Sequence, residues 1–289
     1  MPSSPESNPV LGSKRELRSA DGVRKWAFRL ADDEEIETVL IPGARRSTLC
    51  VSSQVGCAVG CTFCATARMG IRRNLTPAEI VAQYTTAQAL READPRGAPH
   101  PIENLVFMGM GEPFLAFDEV CAAIETLRAD HGFHSKIITV STIGIPNRIV
   151  EFGGRFPHVR LAVSLHSPFD EERDRLVPIN RRHPLSAILE ACHEYQSLYQ
   201  RRIFFEYVLI AGENDGPRHA RALAQLLAGL DGTVNLIPLH PGGGVDGDRP
   251  TASACDAFRA ALKESFAGHV TFRRSRGLDI AAACGQLVA

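Results

Sequence analysis

The chain has 289 residues, of which 44% are hydrophobic, and its formal net charge is −1. This length suits one large α/β barrel or two smaller domains with a sizeable core. The near-zero charge neither requires nor excludes nucleic acid, so any RNA contact must depend on local basic patches. The chain shows no secretory signal and no apolar run of membrane-spanning length. We therefore expect a cytoplasmic protein that does not enter a membrane.

The N-terminal part divides into two segments. Residues 1–20 are rich in Ser, Pro and charge, and we expect them to be disordered. Residues 24–30 and 36–41 alternate around an acidic turn, which predicts a β-hairpin within an N-terminal β extension over residues 21–47. Trp26, the only tryptophan, is expected to pack in the core rather than stack on a base.

Strand-like and helix-like segments alternate over residues 48–269. Strand-like runs lie at residues 49–51, 104–108, 137–141, 161–165, 203–210 and 234–239. Helical spacing occurs at residues 77–90, 117–129, 146–152, 185–199, 217–227 and 253–266. Six β–α units with right-handed crossovers predict an α/β fold, a partial (β/α)6 barrel with its chemistry at the C-terminal strand ends. A flat doubly wound sheet is the alternative, but no dinucleotide glycine fingerprint follows the first strand. Residues 270–289 are predicted to form a final strand and a tail.

Three of the eight cysteines form a C-x-x-x-C-x-x-C array, Cys57, Cys61 and Cys64. A structural zinc site takes four protein ligands, and ordinary ferredoxin-type clusters also take four cysteines. Three thiolates therefore favour a [4Fe–4S] cluster with one iron left open, where a small molecule can bind and be reduced. A chance cysteine-rich loop or half a zinc knuckle is the alternative. Clustered ligand cysteines also fit a reducing compartment.

The remaining cysteines divide into two groups. Cys121, Cys192 and Cys255 lie in helical segments among apolar residues, where a thiol behaves as a small hydrophobe. Cys50 lies in a strand seven residues before the array, and Cys284 lies in the tail. A tail thiolate that reaches a site can act as a nucleophile, and a second thiol can resolve it by forming a disulfide.

Glycine and polar residues recur at the predicted C-terminal ends of the strands. Each could be structural, but together, beside the cysteine array, they indicate a site. In chain order they are Gly111 and Glu112, then Ser141, then Ser164, Leu165 and His166, and finally His240.

Six ordered sequence words resemble the RlmN/Cfr family of RNA adenosine methyltransferases, and the resemblance runs from about Asp21 to Leu287. The family belongs to the radical S-adenosylmethionine (SAM) superfamily. The words are Glu37-Thr-Val-Leu-Ile-Pro, Thr48-Leu-Cys-Val-Ser-Ser-Gln-Val-Gly-Cys, Phe107-Met-Gly-Met-Gly-Glu-Pro, Val163-Ser-Leu-His, Val177-Pro-Ile-Asn and Ala283-Cys-Gly-Gln-Leu.

The resemblance implies methylation of a ring carbon of adenosine, with carbon 2 expected, in rRNA or tRNA. Two SAM molecules are used per turnover: one methylates Cys284, and the other chelates the open iron and is cleaved to a radical. That radical activates the S-methyl group for addition to adenine. Glu37 then corresponds to the proton acceptor, and Cys50 releases the product through a transient disulfide with Cys284. An electron donor such as flavodoxin or ferredoxin is expected, and the protein is expected to be a monomer.

The resemblance also implies the SAM contacts. Gly111 and Glu112 match the turn that holds the amino group, Ser141 matches a serine contact, and residues 164–166 match a contacting tripeptide. His240 stands where family members carry Asn, and an imidazole cannot copy the paired donor and acceptor of an amide. Candidate RNA-binding patches are Arg24/Lys25/Arg29, Arg45/Arg46, Arg72/Arg73, Arg181/Arg182 and Arg273/Arg274/Arg276.

Two other functions stay open on the sequence. The same radical chemistry can act on carbon 8, or on a different RNA or nucleotide. A non-catalytic metal- or RNA-binding module is the alternative from another class, although such a module has no use for Cys50 and Cys284 as a pair.

Overall fold

The computed structural model describes residues 11–94, 100–241 and 245–288. Of the segment expected to be disordered, residues 1–10 lie outside these ranges. Gly12–Arg18 form strand β1, so the prediction of disorder is wrong for them. β1 pairs antiparallel with β2, Arg24–Arg29. The backbone hydrogen bonds of this pairing outweigh the polar local composition, which carries no information about a distant partner strand.

The predicted β-hairpin is confirmed. β2 pairs antiparallel with β3, Glu35–Ile41, and β3 pairs antiparallel with β4, Ser47–Val51. Trp26 is fully buried and stacks on Phe28, as its predicted packing role requires. These antiparallel strands extend the main sheet on one side.

A short segment outside the main sheet follows β4, and the sequence did not predict it. It consists of β5 (Gln54–Gly56), helix α1 (Ala65–Arg68) and β6 (Ile71–Asn74), and β5 pairs antiparallel with β6. Gly56 has φ +75°, and a Cβ there would lie 1.8 Å from the carbonyl oxygen of Gly70. Only glycine permits this close approach of the two strands. The cysteine array lies in the loop between β5 and α1.

The rest of the chain alternates helices and strands. The elements are α2 (Pro77–Ala93), β7 (Ile102–Phe107), α3 (Phe117–Asp130), β8 (Ile138–Thr142), α4 (Pro146–Arg155), β9 (Arg160–Ser164), α5 (Asp170–Leu176), α6 (Leu185–Tyr199), β10 (Ile203–Leu209), α7 (Pro217–Leu226), β11 (Gly232–Pro238), α8 (Ala252–Lys263) and β12 (His269–Phe272). Short 3₁₀ turns occupy Ser135–Ile137, Pro178–Arg181 and Leu278–Ile280. The six predicted helices and six predicted strands are all present, and α5 is an addition.

The main sheet runs in the order β1-β2-β3-β4-β7-β8-β9-β10-β11-β12. Every neighbouring pair from β4 to β12 is parallel. Parallel strands joined by helices confirm the α/β class and the partial barrel of six strands, to which β12 adds a seventh parallel strand. The carboxyl ends of these strands therefore meet at one edge of the fold.

Local signals explain several boundaries. Thr76 caps α2: its hydroxyl accepts from the amide of Glu79, and the Glu79 carboxylate accepts from the amide of Thr76. Such a reciprocal cap stabilises a helix start by about 1 kcal/mol. Helix α6 ends where Gln200 adopts a left-handed conformation. Within the described residues, no helix combines the length and the apolar character needed to cross a bilayer.

Candidate active site

The three array cysteines lie on a loop held by backbone hydrogen bonds. The amide of Cys57 donates to Gly70, the amide of Cys64 donates to Cys61, and the amide of Thr62 donates to Leu176. Burial raises the pKa of all three thiols, that of Cys57 to about 12. Thiolates in this loop are thus costly unless a cation binds them.

One cavity gathers most of the predicted site residues at the carboxyl ends of the barrel strands. It encloses about 960 Å³ of empty space, part of it open to solvent. The predicted residues that line it are Cys57, Cys61, Cys64, Gly111, Glu112, Ser141, Ser164, His166, His240 and Cys284. A concave, partly apolar site of this size suits a cofactor-sized ligand.

The donor set fits an iron–sulfur cluster. Three thiols converge on one cavity, and cluster irons are held by cysteine thiolates. Within the described ranges, no three His, Cys, Asp or Glu side chains are close enough to hold a single metal ion. Cys57, Cys61 and Cys64 therefore supply the type of donor that such a cluster requires.

Glu112 is a buried carboxylate at the cavity wall. Its Oε1 accepts from the amide of Phe114 at 2.9 Å, and its Oε2 accepts from the amide of Ile143 at 2.8 Å. Burial raises its pKa to about 6. Gly111 precedes it with φ +100°, and a Cβ there would lie 2.6 Å from the Gln54 side chain. The turn therefore requires glycine, and it presents an acceptor for an ammonium or amine group.

His166 is held in one protonation state and one orientation. It adopts a left-handed backbone conformation, φ 63°, and its Nδ1 accepts from the amide of Val208 at 3.1 Å. Burial lowers its pKa to about 3. A neutral imidazole whose Nδ1 accepts must carry its proton on Nε2. The ring therefore offers one hydrogen-bond donor, and it packs edge-on against Phe63 of the cysteine loop at 4.8 Å.

The other predicted cofactor contacts differ in placement. Ser141 and Ser164 face each other across neighbouring strands, with their hydroxyl oxygens 3.5 Å apart. Leu165 packs in the main hydrophobic core instead. His240 contacts Arg249, whose guanidinium lies 2.5 Å from Nδ1, and burial lowers the pKa of His240. His240 is thus a neutral ring at the cavity wall.

Two buried residues that the sequence did not single out organise these strand ends. Asn214 donates to the carbonyl oxygens of His166 and Val208, both at 2.7 Å, which supports the left-handed turn. Arg173, from α5, is fully buried. It donates to Leu165 at 2.8 Å, Ser164 at 3.0 Å and Ile143 at 2.6 Å, all backbone carbonyls. Nothing in the local sequence signals the role of Arg173, because its carbonyl acceptors lie at the ends of other elements.

The tail brings Cys284 to the cavity that the array cysteines line. The carbonyl of Gly285 accepts from the amide of Ala65 at 2.7 Å, and the hydroxyl of Thr66 donates to the carbonyl of Leu287 at 2.7 Å. Cys284 also lines a second cavity, which Cys50 shares. Both thiols are free. Residues far apart in sequence are therefore neighbours here.

Glu37 contacts the C-terminal tail, residues 281–288, through a hydrogen bond to Val288. It is fully buried, its Oε2 accepts from the amide of Val288 at 2.9 Å, and Lys25 Nζ lies 2.9 Å from its Oε1. Burial raises the pKa of Glu37, and Lys25 opposes that effect. Glu37 does not line the cysteine cavity as the described residues form it. Strand pairing aligns Val39 with Cys50, so Glu37, two residues away, shares the sheet face of Cys50.

The predicted basic patches are only partly surface features. Arg24 and Lys25 are buried, so the prediction that they contact RNA from the surface is wrong. Arg24 pairs with the half-buried Glu16, and Lys25 pairs with the buried Glu37. A local charge pattern does not reveal these long-range pairs. Arg73 is bound by Asp32 and Glu79. The exposed arginines among the predicted patches include Arg45, Arg46, Arg181, Arg182 and Arg274.

Comparison with known proteins identifies the family of this chain. A sequence profile of the radical SAM superfamily matches residues 51–224. The chain is 47% identical over 285 residues to the dual-specificity RNA methyltransferase RlmN of Anaeromyxobacter dehalogenans, with 97% of this chain and 76% of that protein covered. It is 45% identical to RlmN of Marinobacter nauticus, with 93% and 73% covered.

A solved structure has the same architecture. A radical SAM methyltransferase from Sphaerobacter thermophilus superposes with a TM-score of 0.90 at 45% identity, covering 96% of this chain and 81% of that one. The chain therefore belongs to the radical SAM superfamily and, within it, to the RlmN family.

Proposed function

We propose that this chain methylates carbon 2 of an adenosine in rRNA, tRNA or both, through an S-methylcysteine formed on Cys284. The observation that carries the proposal is the shared cavity: the three array cysteines, Glu112 and Cys284 line one site although the tail is distant in sequence. The names of the RlmN relatives support RNA as the substrate. An adenine must leave its stack to reach such a cavity.

The cavity residues divide between two bound groups. Cys57, Cys61 and Cys64 hold the [4Fe–4S] cluster. The SAM site comprises Gly111, Glu112, Ser141, Ser164, His166 and His240, with Glu112 accepting from the amino group. When bound, the cluster and two SAM molecules per turnover supply the methyl group and the radical that activates it.

The two distant thiols and Glu37 perform the remaining steps. Cys284 carries the methyl carbon as a thioether and presents it to the ring carbon of adenine. After addition to the ring carbon, the adduct loses the ring proton to Glu37 and one electron to a one-electron acceptor, which leaves a closed-shell thioether between Cys284 and adenine. For this proton transfer the tail must move away from the Glu37 carboxylate, which now binds Val288. The Cys50 thiolate then attacks the sulfur of Cys284: the S–S bond forms, the S–C bond breaks, and the carbon keeps that electron pair and takes up a proton.

Anaerobic reconstitution tests the proposal. The protein is incubated with iron, sulfide, SAM, a reductant and RNA, and nucleosides and peptides are analysed by mass spectrometry. We expect 2-methyladenosine and an S-methylated Cys284 peptide. Methylation of carbon 8 would correct the position, and methylation of free nucleotides alone would correct the substrate. Bound zinc, or a cluster without SAM cleavage, would replace the proposal with a binding module.

The role of Cys50 has its own test. Because Cys50 resolves the thioether, Cys50→Ala should accumulate a covalent protein–RNA adduct through Cys284, whereas Cys192→Ala should turn over normally. The adduct is measured as an RNA-shifted band that nuclease removes. Normal release of methylated RNA by Cys50→Ala would contradict the role. A flavodoxin or ferredoxin as electron donor, a monomeric state and a cytoplasmic location stay predictions.

A further inference from the structure

Arg273 is a cation that the family resemblance assigned no catalytic role. It follows β12 directly, and it lines the cysteine cavity, the second cavity with Cys50 and Cys284, and a third cavity inside the barrel. Its Nη1 donates to the sulfur of Met108 at 3.2 Å. Met108 lines the same three cavities. The guanidinium thus lies at the junction between the cofactor site and the Cys50 thiol.

The surroundings of Arg273 contain one carboxylate that is incompletely paired. Glu206 is buried, its Oε1 accepts from Asn235 at 2.9 Å, and its Oε2 has no hydrogen-bond partner among the described residues. Burial raises the pKa of Glu206, and Arg273 opposes that effect. Arg273 therefore shares one cavity with this carboxylate and another with the thiols of Cys50 and Cys284.

The Cys50 thiol has few charged neighbours. Among the described residues of the second cavity, the charged or titratable groups besides Cys50 are Cys284, Arg273, Arg274 and Arg276. Arg276 is engaged by Asp21 and by the backbone of Pro42, and Arg274 is exposed. Ile41 at the end of β3 and Met108, directly after β7, also line this cavity and are uncharged. Glu37 of β3 shares the sheet face of Cys50, but Lys25 pairs with its carboxylate at 2.9 Å.

We propose that Arg273 is the positioning residue that stabilises the thiolate of Cys50, with Glu206 moderating its charge. Burial raises the pKa of Cys50 to about 12, Cys284 acts in the same direction, and Arg273 acts against both. A buried thiol needs such a cation to become a nucleophile. The use of this thiolate to resolve Cys284 rests on the proposed function, but its stabilisation does not.

Iodoacetamide alkylation of the folded protein tests the proposal without cofactor or RNA. The rate at Cys50 is followed by peptide mass spectrometry at a fixed alkaline pH and across a pH series. Arg273→Met should raise the pKa of Cys50 by about one unit. The rate should fall about threefold, since a tenfold smaller thiolate fraction is partly offset by the greater nucleophilicity of a more basic thiolate. Arg273→Lys should keep a rate close to that of the wild type.

A second variant keeps the test decisive if Arg273→Met does not fold. Glu206→Gln removes the competing carboxylate at nearly constant volume, so it should raise the alkylation rate at Cys50. Cys192 is fully buried in α6 and should stay unlabelled in every variant, which checks that the fold is closed. Equal Cys50 rates in wild type, Arg273→Met and Glu206→Gln would overturn the proposal. If the alkylation rates at Cys50 change as predicted but the protein does not methylate RNA, the proposed function is refuted and the role of Arg273 stands.

Discussion

Backbone conformation orients individual side chains in this site and so determines which hydrogen bonds they offer. His166 is the best example, because a left-handed backbone places its ring at the cavity wall. The amide of Val208 donates to its Nδ1, and Asn214 donates to its carbonyl oxygen. The ring is thus oriented through Nδ1 and the backbone is held through the carbonyl, so the Nε2 proton points in one direction. The site therefore has a neutral donor at physiological pH, where an unperturbed histidine titrates.

The buried neutral state of His166 predicts a specific acid sensitivity. Its pKa is lowered from 6.5 to about 3, so the unfolded chain binds one more proton within that window. Its contribution to stability is complete above pH 6.5 and is lost by about 1.4 kcal/mol per pH unit as the pH falls towards 3. His166→Asn removes the titration, and Asn tolerates the left-handed conformation.

Urea denaturation across this pH range measures the effect. The difference in unfolding free energy between wild type and His166→Asn should shrink as the pH falls, because only the wild type loses the His166 contribution. His134→Asn, at an exposed position, is the control and should give a nearly constant difference. A constant difference for His166→Asn would show that the imidazole is not held neutral.

Helix α5 shows how an element acts on a site that it does not line. Its Arg173 reaches the ends of two strands and donates to the carbonyls of Leu165, Ser164 and Ile143. It also donates to Asn180, whose amide in turn donates to Asp170 at the start of α5. Burial lowers the pKa of Arg173 to about 10. The planar fork of a guanidinium suits several fixed acceptors better than an ammonium does.

This arrangement predicts a large cost for a substitution that keeps the charge. Arg173→Lys cannot reach the same acceptors and leaves buried carbonyls without donors, so the free energy of unfolding should fall by about 3–5 kcal/mol. Arg175→Lys, at an exposed position of the same helix, should change it by less than about 0.5 kcal/mol. Chemical denaturation of the two variants provides the comparison. Similar stabilities would contradict the role of Arg173.

At the scale of the whole molecule, the N-terminal strands support the tail. Lys25 on β2 donates to the carbonyl of Ala281 at 3.1 Å and pairs with Glu37 on β3. Glu37 in turn accepts from the amide of Val288. Both ends of the tail segment therefore rest on one buried ion pair. Cys284 lies between these two anchors, so its placement at the cavity depends on strands at the other end of the sequence.

Loss of this ion pair should loosen the tail. Lys25→Met leaves the buried Glu37 with only the exposed Arg15, 3.8 Å away, as a cation. The pKa of Glu37 should therefore rise further and its bond to Val288 should weaken. Hydrogen exchange at residues 281–288 should become roughly tenfold faster or more. Lys14→Met, which removes an exposed pair with Glu35, is the matched control and should leave the tail unchanged. Unchanged exchange in Lys25→Met would show that the tail is held by other contacts.

Sequence patterns were informative where the signal is local. The bounds of α6 were predicted to the residue, because its helical periodicity begins directly after Pro184, a residue typical of helix starts. The array cysteines were recognised from their spacing alone. Resemblance added the pairing of Cys50 with Cys284, and the structure places both at one cavity. These features depend on neighbours in the sequence or on whole sequence words.

The rest was decided by tertiary structure. Arg24 and Lys25 read as surface charge but are buried, because the carboxylates that compensate them come from other strands. Strand β1 exists through its pairing with β2. Arg173 and Arg273 became functional candidates only when folding enclosed them among acceptors and thiols. By itself the sequence determined the fold class, and it predicted the cluster ligands and the pair of functional thiols. Folding decided which charged side chains pair in the interior, because burial and long-range pairing leave no pattern in the local sequence.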